Sequence, residues 1–300
     1  MPYKIRIRQT GIFRTKIEIN DLCMGKYKAG MQDRFQRFLP MIPSEGYLII
    51  YDPMQIGTGI KLLYDPDETD EIILNLPVLT TVNDIEMMMN ITREVMKKWH
   101  SWNVKFEDER YTEAELDQLK DLIRTRSLQA LEEAISSYDE GVTLVHGAMW
   151  PLMFETEKLR KFGSEHDEEG FANLLHECQS RDLTWCACHV YLSEDQKNYQ
   201  GVYTIECANR TIIPVKPMPP VDMIDPSSGD EISCQRYIAR VVVNPMKRPL
   251  MQMDYHKFLE LIHASALPRY DACHVICELE EEEILRQLQR KEEMEGKPCW

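Results

Sequence analysis

The sequence predicts an α+β fold of two domains, the first built on a mostly antiparallel sheet. Polar and apolar residues alternate over 3–8, and further strand signals follow at 47–51, 59–64 and 71–76. Over 85–99 the apolar residues instead recur every three or four positions, which indicates a helix lying across that sheet. New strand and helix signals begin after residue 140, so we expect an N-terminal α+β domain at 1–140 and a second α+β domain at 141–300.

The first residues predict a hairpin with one wet face. Tyr3, Ile5 and Ile7 alternate with basic residues, and the apolar pattern resumes after Gly11 over 13–19. The next strands are expected to pair through the polar turn 65–70. The N-terminal sheet is therefore predicted to be mainly antiparallel.

Capping boxes mark the starts of two helices. Thr81–Asp84 precedes the helix at 85–99, and Thr112–Glu115 precedes a second helix that ends before Ser136. The second helix is expected to bridge the two halves, which places the boundary near residue 140. The polar stretch Glu107–Tyr111 is a competing boundary.

The second domain contains an internal duplication of the strand-helix-strand type. One copy spans 142–190 and the other 239–275, and each has a strand, a Pro-Leu-Met word, a Lys-Phe pair and an Ala-Cys-His-Val word in the same order. Two such units are expected to share one sheet. Chance agreement of short apolar words is the alternative.

Between and beyond the copies, three further features are predicted. The strand 201–207 is expected to pair with 185–192, and the proline-rich residues 214–230 predict a long, partly extended loop. The domain is expected to end in an acidic helix over 279–295.

Composition excludes several classes of protein. With 43% hydrophobic and 28% charged residues, and no apolar run long enough for a bilayer, the chain is neither disordered nor membrane-spanning. A net charge of −15 disfavours nucleic acid and anionic lipid as partners. Nine cysteines, an odd number, follow a start without a secretory pattern, so we expect thiols and a cytoplasmic location.

Charge is unevenly distributed along the chain. Residues 1–40 contain nine basic and three acidic residues, a balance of +6, which leaves −21 for the rest. The candidate binding residues of this segment are Lys4, Arg6, Arg8, Arg14 and Lys16. On adjacent strands they would form one patch suited to phosphate, to an acidic partner or to the protein's own acidic half, with a solvated face as the alternative.

Methionine supplies a second candidate for partner binding. The chain has 17 methionines, and this side chain fills cores but also forms adaptable contact surfaces. Met218 and Met223 lie in the proline-rich loop, where we expect contact with a partner.

Cys186, Cys188 and His189 form the candidate zinc set. On an extended strand the two cysteines share a face with their sulfur atoms roughly 6 to 7 Å apart, too far for tetrahedral zinc, and His189 points to the other face. We therefore predict no metal or cofactor and one buried row of Cys186, Cys188 and Val190, with a zinc-stabilised domain as the alternative.

His146, His176 and Cys178 are the candidates for a thiol-based active site. A cysteine nucleophile needs an activating histidine, and His146 stands at a strand end before a glycine. No G-x-S-x-G elbow, H-E-x-x-H helix or Walker A loop occurs, and the loop Ile56–Gly59 lacks the third glycine of a dinucleotide fingerprint.

Short runs along the chain resemble an uncharacterised family of Firmicutes proteins of similar length, defined only as a domain of unknown function. The runs are 57–64 (GTGIKLLY), 79–85 (LTTVNDI), 201–204 (GVYT) and 212–217 (IIPVKP). This resemblance implies no activity and no catalytic residues. Residues 151–159 and 243–245 also resemble motifs of the enhanced-serine-sensitivity protein B family.

The sequence thus favours a non-catalytic cytoplasmic protein that binds another protein. Strong acidity indicates an accessory or immunity-type factor for a basic partner, whereas the amino-terminal patch suits an acidic one. An enzyme with a Cys/His site in the second domain and a zinc-stabilised domain are the alternatives. Composition leaves the oligomeric state open.

Overall fold

A computed structural model of the chain shows an α+β protein, as predicted. It describes residues 2–10, 14–43, 45–65, 67, 70–137, 141–192, 198–220, 223–224, 229, 232–243, 248–282 and 284–286. The chain divides into two compact units, Met1–Arg181 and Asp182–Trp300. No helix among these residues is long and apolar enough to cross a membrane.

The first unit contains ten strands and five α-helices among its described residues. They are β1 (Tyr3–Arg8), α1 (Ile19–Cys23), β2 (Lys28–Gln32), β3 (Phe38–Leu39), β4 (Gly46–Tyr51), β5 (Ile60–Tyr64), β6 (Glu71–Leu76), α2 (Val82–Trp99), β7 (Asn103–Phe106), β8 (Glu109–Thr112), α3 (Leu116–Glu132), β9 (Val142–His146), β10 (Pro151–Glu155), α4 (Thr156–Ser164) and α5 (Glu168–Gln179).

Eight strands form one antiparallel sheet in the order β3-β2-β4-β5-β6-β1-β7-β8. The mostly antiparallel sheet is therefore confirmed, but the hairpin expected at its start is wrong. Residues 14–18 form no strand, and Ile19 begins α1. The reason is that β6 and β7 already occupy both sides of β1, which leaves no free edge for a second amino-terminal strand. Gly11 and Phe13 lie outside the described residues.

Helix α2 packs across one face of this sheet, as its period predicts. It begins behind Thr81, whose side chain accepts a hydrogen bond from the Asp84 N–H. Its buried side chains, including Trp99, form the main core together with the inward-facing residues of β1 and β6. On the opposite face of β1, the side chains of Lys4, Arg6 and Arg8 are exposed, so no described helix covers that side of the strand.

Helix α3 lies in the first unit, where it packs against α2 and α4. The capping box at Thr112 is present and begins a 3-10 turn that leads into α3. Gly163 of α4 packs so tightly on α3 that an added Cβ would meet the Glu132 backbone at 2.2 Å. Residues 141–181 therefore lie in the same compact unit as α3, and a domain boundary near residue 140 stays a prediction. Independent folding of 1–140 remains a prediction.

The second unit has two small mixed sheets. Its elements are β11 (Thr184–Trp185), β12 (Cys188–Leu192), β13 (Tyr199–Glu206), β14 (Thr211–Pro214), β15 (Cys234–Val242), β16 (Met251–Asp254), α6 (Tyr255–Leu261) and β17 (His274–Cys277). The sheet orders are β11-β14-β17 and β12-β13-β15-β16. The predicted pairing of 201–207 with 185–192 is confirmed for 201–203 with 188–190 by the antiparallel β12/β13 ladder, whereas Trp185 pairs with Ile212 of β14 in the other sheet.

The duplicated segments share a sheet only in part, because the last strand of the first copy, β12, lies in the four-stranded sheet with β15 and β16, whereas β17 at the end of the second copy lies in the other sheet of this unit. Strands β9 and β10 form a separate two-stranded sheet, whereas β15 and β16 belong to the four-stranded sheet. What recurs is an antiparallel strand pair followed directly by a helix, α4 or α6. A short connection between the first strand and the Pro-Leu-Met word permits a hairpin, while a parallel crossover needs a longer segment.

Most of the expected carboxyl-terminal helix lies outside the described residues, which end with 284–286. The loop residues 225–228 and 230 and the connection 244–247 also lie outside them.

Candidate functional site

Strand β1 presents a row of cations to one side of the sheet. Its buried and exposed residues alternate strictly, with Ile5 and Ile7 in the core and Lys4, Arg6 and Arg8 outside. Because successive residues of a strand point to opposite faces, the apolar requirement of the core fixes all three basic side chains on the open face.

Two neighbouring strands extend this row with further cations. Arg6 stands opposite Lys105 of β7, and Lys105 stands opposite Arg110 of β8. We call the exposed side chains of Lys4, Arg6, Arg8, Lys105 and Arg110 the basic face. Lys105 and Arg110 were not among the sequence candidates, because the strands that carry them have only four residues each and lie about 100 positions from Arg6.

The row Arg6–Lys105–Arg110 is unfavourable for the fold by itself. Residues directly opposite in an antiparallel pair have Cβ atoms about 5 Å apart, and like charges placed there destabilise the sheet. Three cations in succession across three strands are therefore not explained by folding.

Carboxylates compensate only part of this charge. Glu71 of β6 accepts a hydrogen bond from the Arg8 Nε at 2.7 Å and lies 3.9 Å from an Arg6 nitrogen. Lys105 pairs with Asp108 at 3.4 Å, a contact in which both side chains are largely exposed. The side chains of Lys4 and Arg110 make no hydrogen bond or ion pair with any residue that the structure describes.

Arg14 and Lys16 lie apart from the basic face. Arg14 is 3.1 Å from an Asp70 carboxylate oxygen, and Lys16 pairs with Asp67 of the same polar turn. Of the five residues that the sequence predicts to form one patch, three therefore lie on β1, and Arg14 and Lys16 lie in a segment that forms no strand.

Two grooves open on the basic face and share Arg6 and Lys105. The larger groove has a volume of about 700 Å³ and is also lined by Lys4 and Arg126, with Glu107 and Asp108 as carboxylates. The smaller groove has a volume of about 360 Å³ and is also lined by Arg8 and Arg110, with Glu71 as carboxylate. Both grooves thus have more cations than carboxylates.

Met218 and Met223 belong to the second unit, where their backbone groups are bonded. The Met218 N–H donates to the Tyr203 hydroxyl at 3.0 Å, and that hydroxyl donates to the Met218 carbonyl at 2.7 Å. The Met223 carbonyl accepts from the Ile232 N–H at 2.9 Å. These bonds fix the chain at both methionines, and both residues are only partly buried.

The candidate catalytic histidines make structural hydrogen bonds. His176 Nδ1 accepts the Ile56 N–H at 3.0 Å, and His146 Nδ1 is 2.8 Å from the Gln36 side-chain oxygen. Cys178 is buried on the same helix as His176. Side chains two positions apart on an α-helix are rotated about 200° around the helix axis. His176 and Cys178 therefore lie on opposite sides of α5 and do not form a nucleophile pair.

The candidate zinc residues are placed in or beside the core of the second unit. Cys186 and Cys188 are buried, and the Cys186 thiol donates to the Thr204 carbonyl at 3.3 Å. Burial raises the pKa of Cys188 to about 12, which keeps it a neutral thiol. His189 stands on β12 opposite Val202. Among the described residues no group of three or more His, Cys, Asp or Glu is arranged to hold a metal ion.

A closed anionic site lies at the start of α2. The buried Asp84 carboxylate accepts the N–H groups of Thr58 and Gly59 at 2.7 and 3.1 Å and the hydroxyls of Thr58 and Thr81 at 3.0 and 2.7 Å. Burial raises the pKa of Asp84, and these hydrogen bonds oppose that rise. Gly57 is required by close approach, since a Cβ there would lie 2.2 Å from an Asp84 oxygen.

The hydrogen bonds of Asp84 join two of the runs on which the family resemblance rests, 57–64 and 79–85. These two runs therefore have a shared structural role. Gln179 of α5 holds the same loop by donating to the Gly57 carbonyl at 2.8 Å. The loop amides that a phosphate would need are already used by Asp84, so this loop is structural.

Comparison with curated proteins and with solved structures gives no match. The likeness of 151–159 to the enhanced-serine-sensitivity protein B family stays a prediction. A family described as a domain of unknown function (DUF4299) matches residues 3–287, which include parts of both compact units. The resemblance to an uncharacterised family is thereby confirmed, and the chain belongs to the DUF4299 family.

Proposed function

We propose that this protein is a non-catalytic cytoplasmic binding protein that docks an acidic segment of another protein on its basic face. The observation that carries the proposal is the row Arg6–Lys105–Arg110, in which three cations face one another across adjacent strands. A bound acidic segment would relieve the repulsion that the sheet alone leaves in place.

The remaining charge of the chain makes this docking selective. The whole chain carries −15, so an acidic partner is repelled by most of the surface and attracted only where cations exceed carboxylates. Local charge on the sheet therefore favours an acidic partner over the basic partner that the net charge indicates. An accessory or immunity-type protein would act through such a contact.

The alternatives receive less support. An enzyme using His146 or His176 would need an accessible thiol near the histidine, whereas Cys178, Cys186 and Cys188 are all buried. The cytoplasmic part of the proposal is supported by the odd number of cysteines, nine in the chain.

The proposal is tested with a fluorescent oligoglutamate peptide at low salt. We expect binding that weakens steeply as salt is raised, and at least ~10-fold weaker binding by a variant carrying Arg6→Gln and Lys105→Gln. The matched control carries Arg14→Gln and Lys16→Gln, which removes the same charge from two residues that lie outside the strands of the basic face and pair with carboxylates of the turn 65–70.

Two results would contradict the proposal. One is an equal loss of affinity in both double variants, because the effect would then follow net charge and not the basic face. The other is single-stranded DNA binding as tightly as the peptide, which would assign the face to nucleic acid.

A further inference from the structure

We propose that the smaller groove is a binding site for a phosphate-class oxyanion, supplied either as free phosphate or as a phosphorylated side chain of the docked segment. The inference rests on the proposed function in that it uses part of the same basic face. It goes further by specifying the chemical group that the groove selects.

The groove concentrates cations of the kind that recognise phosphate. Its cations are Arg6, Arg8, Lys105 and Arg110, and three of these four are arginines. A guanidinium group presents a planar set of donors that matches two oxygens of a phosphate at once, which an ammonium group does not. The register places Arg6 and Arg110 on either side of Lys105, so an anion bound above Lys105 would have an arginine on each side.

Charge in the groove favours a dianion over a carboxylate. Four cations face one carboxylate, Glu71, and Asp108 of the adjoining groove pairs with Lys105, which leaves two positive charges in formal excess. Glu71 already engages Arg8 and lies near Arg6, whereas Arg110 has no partner among the described residues. A phosphoryl group carries ~2 negative charges at neutral pH, so it compensates more of this excess than one glutamate would.

A neutral donor completes the lining. Asn103 lies two residues before Lys105 on β7 and also lines the groove. The side-chain amide of Asn103 makes no hydrogen bond with any residue that the structure describes. An amide N–H of this kind adds a directed hydrogen bond to an oxyanion held by arginines.

The surroundings favour a compact anion over a nucleic acid. Glu107 and Asp108 line the adjoining larger groove, where they would repel a continuing phosphate backbone. The aromatic residues of that groove, Tyr3 and Phe106, are 7% and 1% exposed, so they offer no surface on which bases stack.

The first experiment follows arginine side-chain Nε–H resonances during titration with inorganic phosphate, with chloride at equal ionic strength as the reference. We expect saturable shifts for Arg6 and Arg110, and at least ~10-fold weaker phosphate binding in Arg110→Gln. Arg110→Lys should restore part of the affinity, since it keeps the charge without the planar donors. Arg14→Gln is the control and should bind phosphate like the wild type.

The second experiment compares two acidic peptides that differ only by phosphorylation of one serine. A wild-type preference of at least ~10-fold for the phosphopeptide that disappears in Arg110→Gln identifies a phosphorylated side chain as the source. Saturable binding of inorganic phosphate without that preference identifies free phosphate as the source. Either result supports the site.

Failure of this inference is distinguishable from failure of the proposed function. Phosphate shifts equal to those of chloride, together with equal binding of both peptides, would overturn the phosphate site and leave the acidic docking face intact. Phosphate binding without binding of either peptide would support the site and overturn the docking proposal. If neither phosphate nor peptide binds, both are wrong.

Discussion

The first unit treats charge in two opposite ways, at Asp84 and on the basic face. The buried Asp84 carboxylate receives four hydrogen bonds from the backbone and hydroxyl groups around it, and this closes the site against any ligand. On the basic face, cations exceed carboxylates and stand opposite one another. A charged group whose hydrogen bonds are supplied by the chain stabilises the fold. A charged group that repels its cross-strand neighbour and is not fully compensated is available for binding.

Removal of the buried Asp84 carboxylate should give the largest change in the free energy of unfolding. We expect Asp84→Ala to lower the free energy of unfolding by at least ~3 kcal/mol, because it leaves buried donors of Thr58 and Gly59 without an acceptor. Asp84→Asn should cost less, since its amide oxygen still accepts one or two of these bonds. Urea unfolding followed by circular dichroism measures both.

If Asp84→Ala unfolds at the urea concentration of the wild type, the closed site does not stabilise the loop. Asp84 and the basic face would then no longer differ in whether their charge stabilises the fold. Phosphate binding to a folded Asp84→Asn protein should remain unchanged, which separates the structural carboxylate from the binding surface.

Removal of a cation from the basic face should change the free energy of unfolding in the opposite direction. We expect Lys105→Gln to raise the free energy of unfolding by ~0.2–1 kcal/mol, because it relieves repulsion with Arg6 and Arg110. The exposed pair with Asp108 offsets little of this gain. The same variant should bind oligoglutamate and phosphate more weakly, so stability and binding change in opposite directions.

Lys120→Gln is the matched control for this measurement. Lys120 of α3 lies 3.1 Å from a Glu86 carboxylate oxygen and 3.7 Å from one of Asp117, so its charge is compensated. Its replacement should not stabilise the protein. A Lys105→Gln variant that is less stable than the wild type would show that the row contributes to the fold and would remove the physical reason for the binding site.

The two sites also differ in how far the sequence predicts them. Helix α2 and its cap at Thr81 follow from local period and capping chemistry, and β6 follows from its apolar pattern and the polar turn before it. Asp84 belongs to the predicted capping box, but its contact with the loop at Thr58 is tertiary and has no local signal.

The basic face is only half predictable for a related reason. Alternation in β1 places Lys4, Arg6 and Arg8 on one side, and this is a local property. Strand β7 has only two apolar residues, Val104 and Phe106, which is too short a pattern to identify a strand, and the polar stretch 107–111 that leads into β8 resembles a linker. Their pairing beside β1 is what brings Lys105 and Arg110 into the row, and such pairing is decided by the whole sheet.

The smallest changes in stability and binding are expected at Arg14 and Lys16. Arg14 and Lys16 belong to the same basic segment as Arg6, yet each is paired with a carboxylate of the turn 65–70. Because exposed ion pairs contribute little, Arg14→Gln and Lys16→Gln should change the free energy of unfolding by no more than ~0.5 kcal/mol. Their binding of phosphate and oligoglutamate should equal that of the wild type when ionic strength is matched. A loss of binding comparable to that of Arg110→Gln would mean that attraction depends on the summed charge of the basic segment, and the cross-strand row would no longer define the site.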